Sequence, residues 1–417
     1  MAITTIPKPR SIEALGVRRN VLEDLAMKTL YVTGELGEDE LAGQMGINLG
    51  IVSELLKRLR KQLLCEAIGL DSSGLHFRFT TTSSGKSHAL ELLAQNQYVG
   101  PAPVSLHDYV SQIHAQSVRA VTITPEDLDR AFEDLVLDTP VLNQLGTAAM
   151  SGRALFLYGP AGTGKTVVAQ TLAHLFDDDA VWLPYAVEVD GQIITVYDSV
   201  LHQKLEQPQV SDHDSRWVLC RRPTVVVGGE LTIEMLDLQF NPSTRYYTGP
   251  VQMKANNGLL IVDDFGRQRL SPEQLLNRWV VPLDRRIDFL TLAGGKKIEI
   301  PFDLLVVFAS NLDPAALADE AFLRRIQTKI RLGFATSDQF CEIFRRVCLQ
   351  FNLACDEAML DELLRIIRVE YKEPLRACYA RDIVQQILWK SNYLQKEPRL
   401  DLESITQACR NYFLTPA

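Results

Sequence analysis

No run of about eighteen consecutive apolar residues occurs in this 417-residue chain, so no segment is suited to cross a membrane as a helix. The opening residues, MAITTIPKPR, lack the apolar core of a secretory signal. Cysteine is sparse and scattered: seven residues, an odd count, and no C-x-x-C pair. That pattern argues against a disulfide framework or a zinc site and for reduced thiols in a cytoplasmic protein. Cys341, Cys348 and Cys355 recur every seventh residue, the spacing of small buried residues on one helix face. Basic charge is not in excess either. The net charge of −9 excludes wholesale coating of nucleic acid. Internal repeats and low-complexity tracts are missing. What remains is ordinary globular composition, 46% hydrophobic and 23% charged, in a chain long enough for two to three domains.

Periodicity divides the chain. RRNVLEDLAMKTLYVTG and EDELAGQMG read as helices stopped by glycine, and NLGIVSELLKRLRKQLL as an amphipathic third with Ile51, Leu55, Leu56, Leu59 and Leu63 apolar. Two short alternating strands around a Ser-Ser-Gly turn follow, then another helix. Three helices and a hairpin resemble a winged helix, here placed in residues 1–98. Gln95 to Leu106, with its Gly-Pro-Ala-Pro, cannot continue a helix and is expected as a linker, opening a helical approach over 99–150. Apolar strands at RALFLY, PTVVVGG, LLIVDD and FDLLVVFASN then alternate with helical segments, which predicts a parallel α/β sheet over 151–335. From about Ser337 helical periodicity runs alone to Tyr412, an all-α lid over 336–417.

GPAGTGKT fills every position of G-x-x-x-x-G-K-[ST]: Gly159, Pro160, Ala161, Gly162, Thr163, Gly164, Lys165 and Thr166. Glycines let backbone N–H groups wrap phosphates, and the following helix N-terminus favours anions. Lys165 is expected on the β- and γ-phosphates of ATP, and the Thr166 hydroxyl on Mg²⁺. A second signal is LLIVDDFGR, an apolar strand that delivers two adjacent acids at its carboxyl end.

Together these motifs resemble the AAA+ ATPase superfamily over roughly residues 104–410. The resemblance implies a P-loop NTPase fold, an α/β parallel sheet core with a C-terminal helical lid. It places Asp263 as the Mg²⁺-orienting Walker-B acid and Asp264 as the base for the attacking water. The family usually carries Asp-Glu there, and aspartate is one methylene shorter. Asp264 as a base is therefore weighed against an acid that merely caps the strand end. Ser310-Asn311 resembles sensor 1, with Asn311 holding the water or the γ-phosphate. DEAFLRRIQTKI resembles the arginine-finger segment, with Arg325 the better match and Arg324 the fallback, acting on a neighbouring subunit. CYARDIVQQI resembles the sensor-2 helix and nominates Arg381.

Two inserts resemble those of the helix-2-insert, MoxR-like branch: Gly228 to Gly258, and Arg285 to Leu304, which alternates about Gly294-Gly295. Arg245, Tyr246, Tyr247, Lys296 and Lys297 are candidate substrate contacts there, against the alternative of soluble edge hairpins. The resemblance implies a ring oligomer, a hexamer by analogy, that hydrolyses ATP with Mg²⁺ to remodel a protein client. The alternatives are a DNA-directed ATPase, through Lys57, Arg58, Arg60 and Lys61 on duplex DNA, and a nucleotide-gated switch with little turnover. Residues 1–100 hold eleven basic and eleven acidic residues, no net charge, which favours protein over DNA.

Overall fold

Strands buried on both faces have no polar side, and three segments meet that condition: Leu155–Tyr158, Leu259–Val262 and Leu305–Ser310. In the computed structural model, which describes residues 5–70, 77–206, 213–317 and 320–414, they form the middle of one parallel sheet. Across that sheet the order is Thr224–Val227, Leu259–Val262, Leu305–Ser310, Leu155–Tyr158 and Thr328–Arg331. The first of these strands in sequence thus lies between the fourth and the fifth.

Alternation divides the side chains between two layers. Phe156, Leu260, Val262, Val306 and Phe308 pack with Trp279 of the helix Pro272–Arg285 and with Phe265 and Phe302. Leu155, Leu157, Leu259, Ile261 and Val307 pack on the other side with Leu145, Val168 and Leu172. A parallel sheet covered on both faces by helices, with the glycine loop after an inner strand and a helical lid beyond, is a P-loop α/β fold. The lid consists of the helices Ser337–Gln350, Glu357–Arg365, Ala377–Tyr393 and Leu402–Tyr412 around a core that includes Phe340, Phe344, Leu363 and Ile383. Thr336 opens it with a capping box, its hydroxyl accepting from the Gln339 N–H.

At the N-terminus the helices Arg19–Thr33 and Glu38–Met45 end at Gly34 and Gly46 as expected, and Leu49–Lys61 ends three residues short of the stretch read as helical. Cys65–Leu70 and Phe77–Thr81 pair antiparallel, and Leu36–Gly37 adds a short third strand. The expected Ser-Ser-Gly turn lies outside the described residues. Leu63 departs from the expected pattern. It sits just past the helix at φ +58° and is 73% exposed, because the left-handed turn that ends the helix swings it outward.

The region between the loop helix and Thr224 carries structure that periodicity had not revealed. Ala186–Val189 and Gln192–Thr195 form a hairpin within a second, five-stranded sheet. Ala180–Pro184 pairs separately with Trp217–Arg221. The insert over Gly228 to Gly258 contributes Gln239–Phe240 and Tyr247–Thr248 to that second sheet and is not a projecting hairpin. The three residues expected to meet a substrate there are engaged internally instead. Arg245 donates to the Ala94 carbonyl, Tyr246 packs edge-on against Tyr98, and Tyr247 is buried. Tyrosine carries a large apolar area, and the N-terminal unit offers a surface to bury it. The hairpin Ile287–Thr291 with Lys297–Pro301 forms as expected about Gly294-Gly295. At its tip Lys296 pairs with Asp190, while Lys297 is exposed.

Nor is the stretch after Gln95 a free tether. Tyr98, Ala102 and Val104 are buried, and Val104–Ser105 joins the second sheet in parallel with Ala186–Val189. Arg216 fastens this junction. Its guanidinium, 2% exposed, meets Asp214, 1% exposed, and also donates to the carbonyls of Leu15 and Pro103. One buried cation therefore ties the N-terminal unit and the crossing segment to the strand pair Ala180–Pro184 with Trp217–Arg221. Removing one partner of a buried pair costs about 3–5 kcal/mol, because the other charge is left uncompensated. Arg216→Ala is expected to lower the urea midpoint by that order, and Arg216→Met with Asp214→Leu by clearly less. Equal losses in equilibrium unfolding would show that the ion pair does not anchor the junction.

Candidate nucleotide site

Parallel strands end on one edge of a sheet, and this one brings Gly159, Asp263 and Asn311 to the same edge. The glycine loop folds as it does because side chains would collide. Gly159, at φ +142°, lies where a Cβ would fall 2.1 Å from the Leu332 carbonyl oxygen. Gly162, at φ +78°, would place one 2.6 Å from Cys378 Sγ.

Four consecutive loop carbonyls are engaged. Lys165 Nζ donates to those of Gly159 and Pro160, at 3.0 and 2.6 Å. From the lid, Arg376 Nη1 donates to Ala161 at 3.0 Å and the Cys378 N–H to Gly162 at 3.1 Å. A trans peptide sets its N–H opposite its C=O, so binding the carbonyls on one side turns the amides to the other. Successive amides presented this way make an anion cradle. Lys165 is buried, which holds its pKa below the usual lysine value, while Asp263 and Asp264 act in the opposite direction.

The Thr166 hydroxyl donates to Asp263, at 2.9 and 3.1 Å from its two oxygens. Gln268 Nε2 donates to the Asp263 carbonyl at 2.9 Å, and the Asp264 N–H to Asp263 Oδ1 at 2.9 Å. Asp264 itself is exposed and left-handed at φ +48°, a conformation aspartate tolerates better than most residues. Asn311 Nδ2 donates to Asp264 Oδ1 at 3.3 Å. Ser310 serves the scaffold, its buried hydroxyl donating to the Phe265 carbonyl at 2.6 Å.

Thr166, Lys165, Asp263, Asp264, Asn311 and Arg381 line one cavity of about 920 Å³. Its far wall is apolar: Leu135, Val136 and Leu137 from the approach, Ile343 and Val347 from the lid. Neither this wall nor Arg376 was found from the sequence. The run LVLDTPV resembles any helix approach, and Arg376 lies five residues before the nominated Arg381. Arg381 is exposed and faces the cavity, whereas Arg376 touches the loop. Arg325 and Arg324 are not among the cavity's lining residues. Arg325 Nε lies 2.8 Å from Asp284 Oδ2, and Arg324 is exposed.

Among the described residues, no cluster of three His, Cys, Asp or Glu could hold a metal alone. Thr166 and Asp263 nonetheless fit magnesium. That ion takes one or two protein oxygens and completes its shell with phosphate and water.

Comparisons with known proteins bear on parts of the chain. A family model described as a domain of unknown function, DUF8689, matches residues 336–411, the helical lid. No curated protein matches. Among solved structures, domain III of the Thermotoga maritima replication initiation protein DnaA aligns at 14% identity. It covers 71% of this chain and all of that one, with a TM-score of 0.39. The Thermotoga maritima RuvB Holliday junction branch migration motor aligns at 14% identity, over 69% of this chain and 70% of its own, with a TM-score of 0.36. The fold assignment rests instead on the strand order and the glycine loop. No helix among the described residues is long and apolar enough to cross a membrane.

Lys165→Ala is expected to abolish binding of a fluorescent ATP analogue, because Lys165 is the residue expected to meet the β- and γ-phosphates. Equal affinity of variant and parent in a titration would remove the assignment.

Proposed function

We propose that this protein is an ATPase of the AAA+ kind, working with Mg²⁺ as a ring of identical subunits to remodel a protein partner. The observation that carries the reading is the convergence of Lys165, the Thr166–Asp263 pair and the Asp264–Asn311 pair on one cavity, with Arg325 outside it. Residues 159–166 hold the triphosphate. Thr166 and Asp263 hold the magnesium, which neutralises charge on the β- and γ-phosphates when bound. Asp264 takes a proton from water as the water oxygen bonds to the γ-phosphorus and the bond to the β–γ bridging oxygen breaks. Asn311 orients Asp264 or the water. Arg325, with Arg324 as the fallback, reaches the site of a second copy. Arg381 faces the nucleotide from the lid.

The N-terminal unit, read as a winged helix, and the hairpin about Gly294-Gly295, of the MoxR-like kind, would engage the client. The packing of the N-terminal unit on the second sheet supports a rigid platform. A DNA-directed reading is favoured by one feature. Lys57, Arg60 and Lys61 are exposed at the end of the third helix, with Arg58 beside them paired to Glu23. If they neutralise phosphates, duplex affinity is expected to fall with salt at a log–log slope of about −0.9 per contact. Changing all four to alanine should then flatten that slope. Absence of duplex binding at low salt, read by fluorescence anisotropy, leaves the protein client.

Turnover is tested at Asp264. Asp264→Asn keeps the shape but cannot accept a proton. Nucleotide binding is expected to persist while kcat falls about 10²–10⁴-fold, the usual range for losing a general base. Asp263→Asn is expected to weaken metal-dependent binding and turnover together. Wild-type hydrolysis by Asp264→Asn would eliminate this base and leave another base or the switch reading.

A further inference from the structure

We propose that Gln268 is the positioning residue for Asp264, its side-chain amide clipping the turn that aims the Asp264 carboxylate. The inference rests on the reading of Asp264 as the base for the attacking water. Its basis is that one amide bonds the turn on both sides of that residue. Gln268 Nε2 donates to the Asp263 carbonyl at 2.9 Å, and Gln268 Oε1 accepts from the Gly266 N–H at 2.8 Å.

The turn needs such a clip because Asp264 is left-handed, at φ +48°. A non-glycine residue keeps that conformation only where its surroundings fix the peptide planes about it. Most of these planes are tied to neighbouring strands or to the turn itself. The Asp263 N–H donates to the Val227 carbonyl at 2.8 Å and the Phe265 N–H to that of Ala309 at 2.7 Å. The Phe265 carbonyl accepts from Ser310 Oγ, and the Asp264 carbonyl from the Arg267 N–H at 2.9 Å. The plane joining Asp263 to Asp264 is held differently. Its N–H is bound by Asp263 Oδ1, a carboxylate already engaged by Thr166, and its carbonyl by Gln268. Rotation of this plane changes φ at Asp264 directly. The Asp264 side chain then swings off Asn311 Nδ2, which lies 3.3 Å from Asp264 Oδ1.

The amide has one orientation here. Asp263 offers an acceptor and Gly266 a donor, so the nitrogen faces the first and the oxygen the second. The backbone beyond the clip is anchored as well. Gln268 is half-buried, and the N–H groups of Arg269 and Leu270 donate to the Gly229 and Leu231 carbonyls, each at 3.2 Å. A glutamate at this position would keep the acceptor but turn an oxygen toward the Asp263 carbonyl. A methionine would keep the length and make neither bond. A reacting group misplaced by roughly 1 Å loses up to about a hundredfold in rate.

The test is steady-state ATP turnover by the full-length protein with Mg²⁺, paired with titration of a fluorescent ATP analogue. Gln268→Met is expected to lower kcat roughly ten- to hundredfold with KM for ATP and analogue affinity unchanged. Gln268→Glu is expected to be at least as slow as Gln268→Met. The double variant is the sharper measurement. Gln268→Met added to Asp264→Asn should cost little beyond Asp264→Asn alone, because residues that act through one group are not additive. A merely structural role would slow both backgrounds by the same factor. Parental kcat in Gln268→Met and Gln268→Glu, an equal factor in both backgrounds, or loss of affinity alongside kcat each overturns the positioning role. If Asp264→Asn is slow and Gln268→Met is not, this inference alone falls. If Asp264→Asn itself turns over at the parental rate, the reading of the base falls and takes this inference with it.

Discussion

Thr166 and Asp263 meet across a strand, and the geometry of the site follows from that reach. The strand bearing the glycine loop and the strand bearing the two acids are not neighbours, since Leu305–Ser310 lies between them. Strands are spaced about 4.8 Å apart, so the two carrier strands stand roughly 10 Å from each other. The first turn of the loop helix spans that gap and lowers the Thr166 hydroxyl onto the Asp263 carboxylate. The intervening strand is then placed to deliver Asn311 between them, against Asp264. A shift of any of the three strands by one residue would exchange its faces and carry its polar end group out of the cavity.

The second sheet imposes a different constraint on the N-terminal unit. A domain held by a flexible linker would move independently, with few buried contacts crossing the junction. Here Arg216 is shared by three segments, and Ala186 and Ile193 of the second sheet belong to the same core as Leu22, Leu25 and Leu55. The Gly46 turn also lies so close to Ser215 that a Cβ there would fall 2.9 Å from the Ser215 carbonyl oxygen. The third helix is thereby joined to the second sheet through packing and not through a tether.

How much of this was legible depends on what each residue had to satisfy alone. LFLY, LLIV and LVVFAS announce themselves because a parallel strand buried on both faces must be apolar throughout. The edge strand Thr328–Arg331 does not, since only Ile330 of its four residues is buried. The glycine loop, Asp263 and Asn311 could be nominated from residue type and spacing, and the fold brings Gly162, Asp263 and Asn311 to one cavity. AVEVDGQIIT carried a readable hairpin signal that was overlooked: alternation on both sides of Asp190-Gly191, whose φ values of +53° and +84° suit a primed turn. The strands Gln239–Phe240 and Tyr247–Thr248 are too short to show any period. Their place in the second sheet, and with it the burial of Tyr247, is decided by partners some fifty residues away. Arg376 escaped for a similar reason, because its contact with the loop exists only once the lid has folded over.

That last contact shows what holds the lid in place. Two of the four engaged loop carbonyls are bound by Lys165 and two by the lid, so loop and lid share one short stretch of backbone. The Arg376 guanidinium is further braced by the rings of Phe334 and Tyr379, its Cζ at 5.5 and 5.9 Å from their centroids, while its Nη1 meets Ala161. Neither lid bond depends on a loop side chain, and at Gly162 none would fit. The lid's position relative to the cradle is therefore set by the loop backbone itself. Of the two lid bonds, that of Cys378 is backbone to backbone and independent of side-chain identity, whereas that of Arg376 is open to substitution.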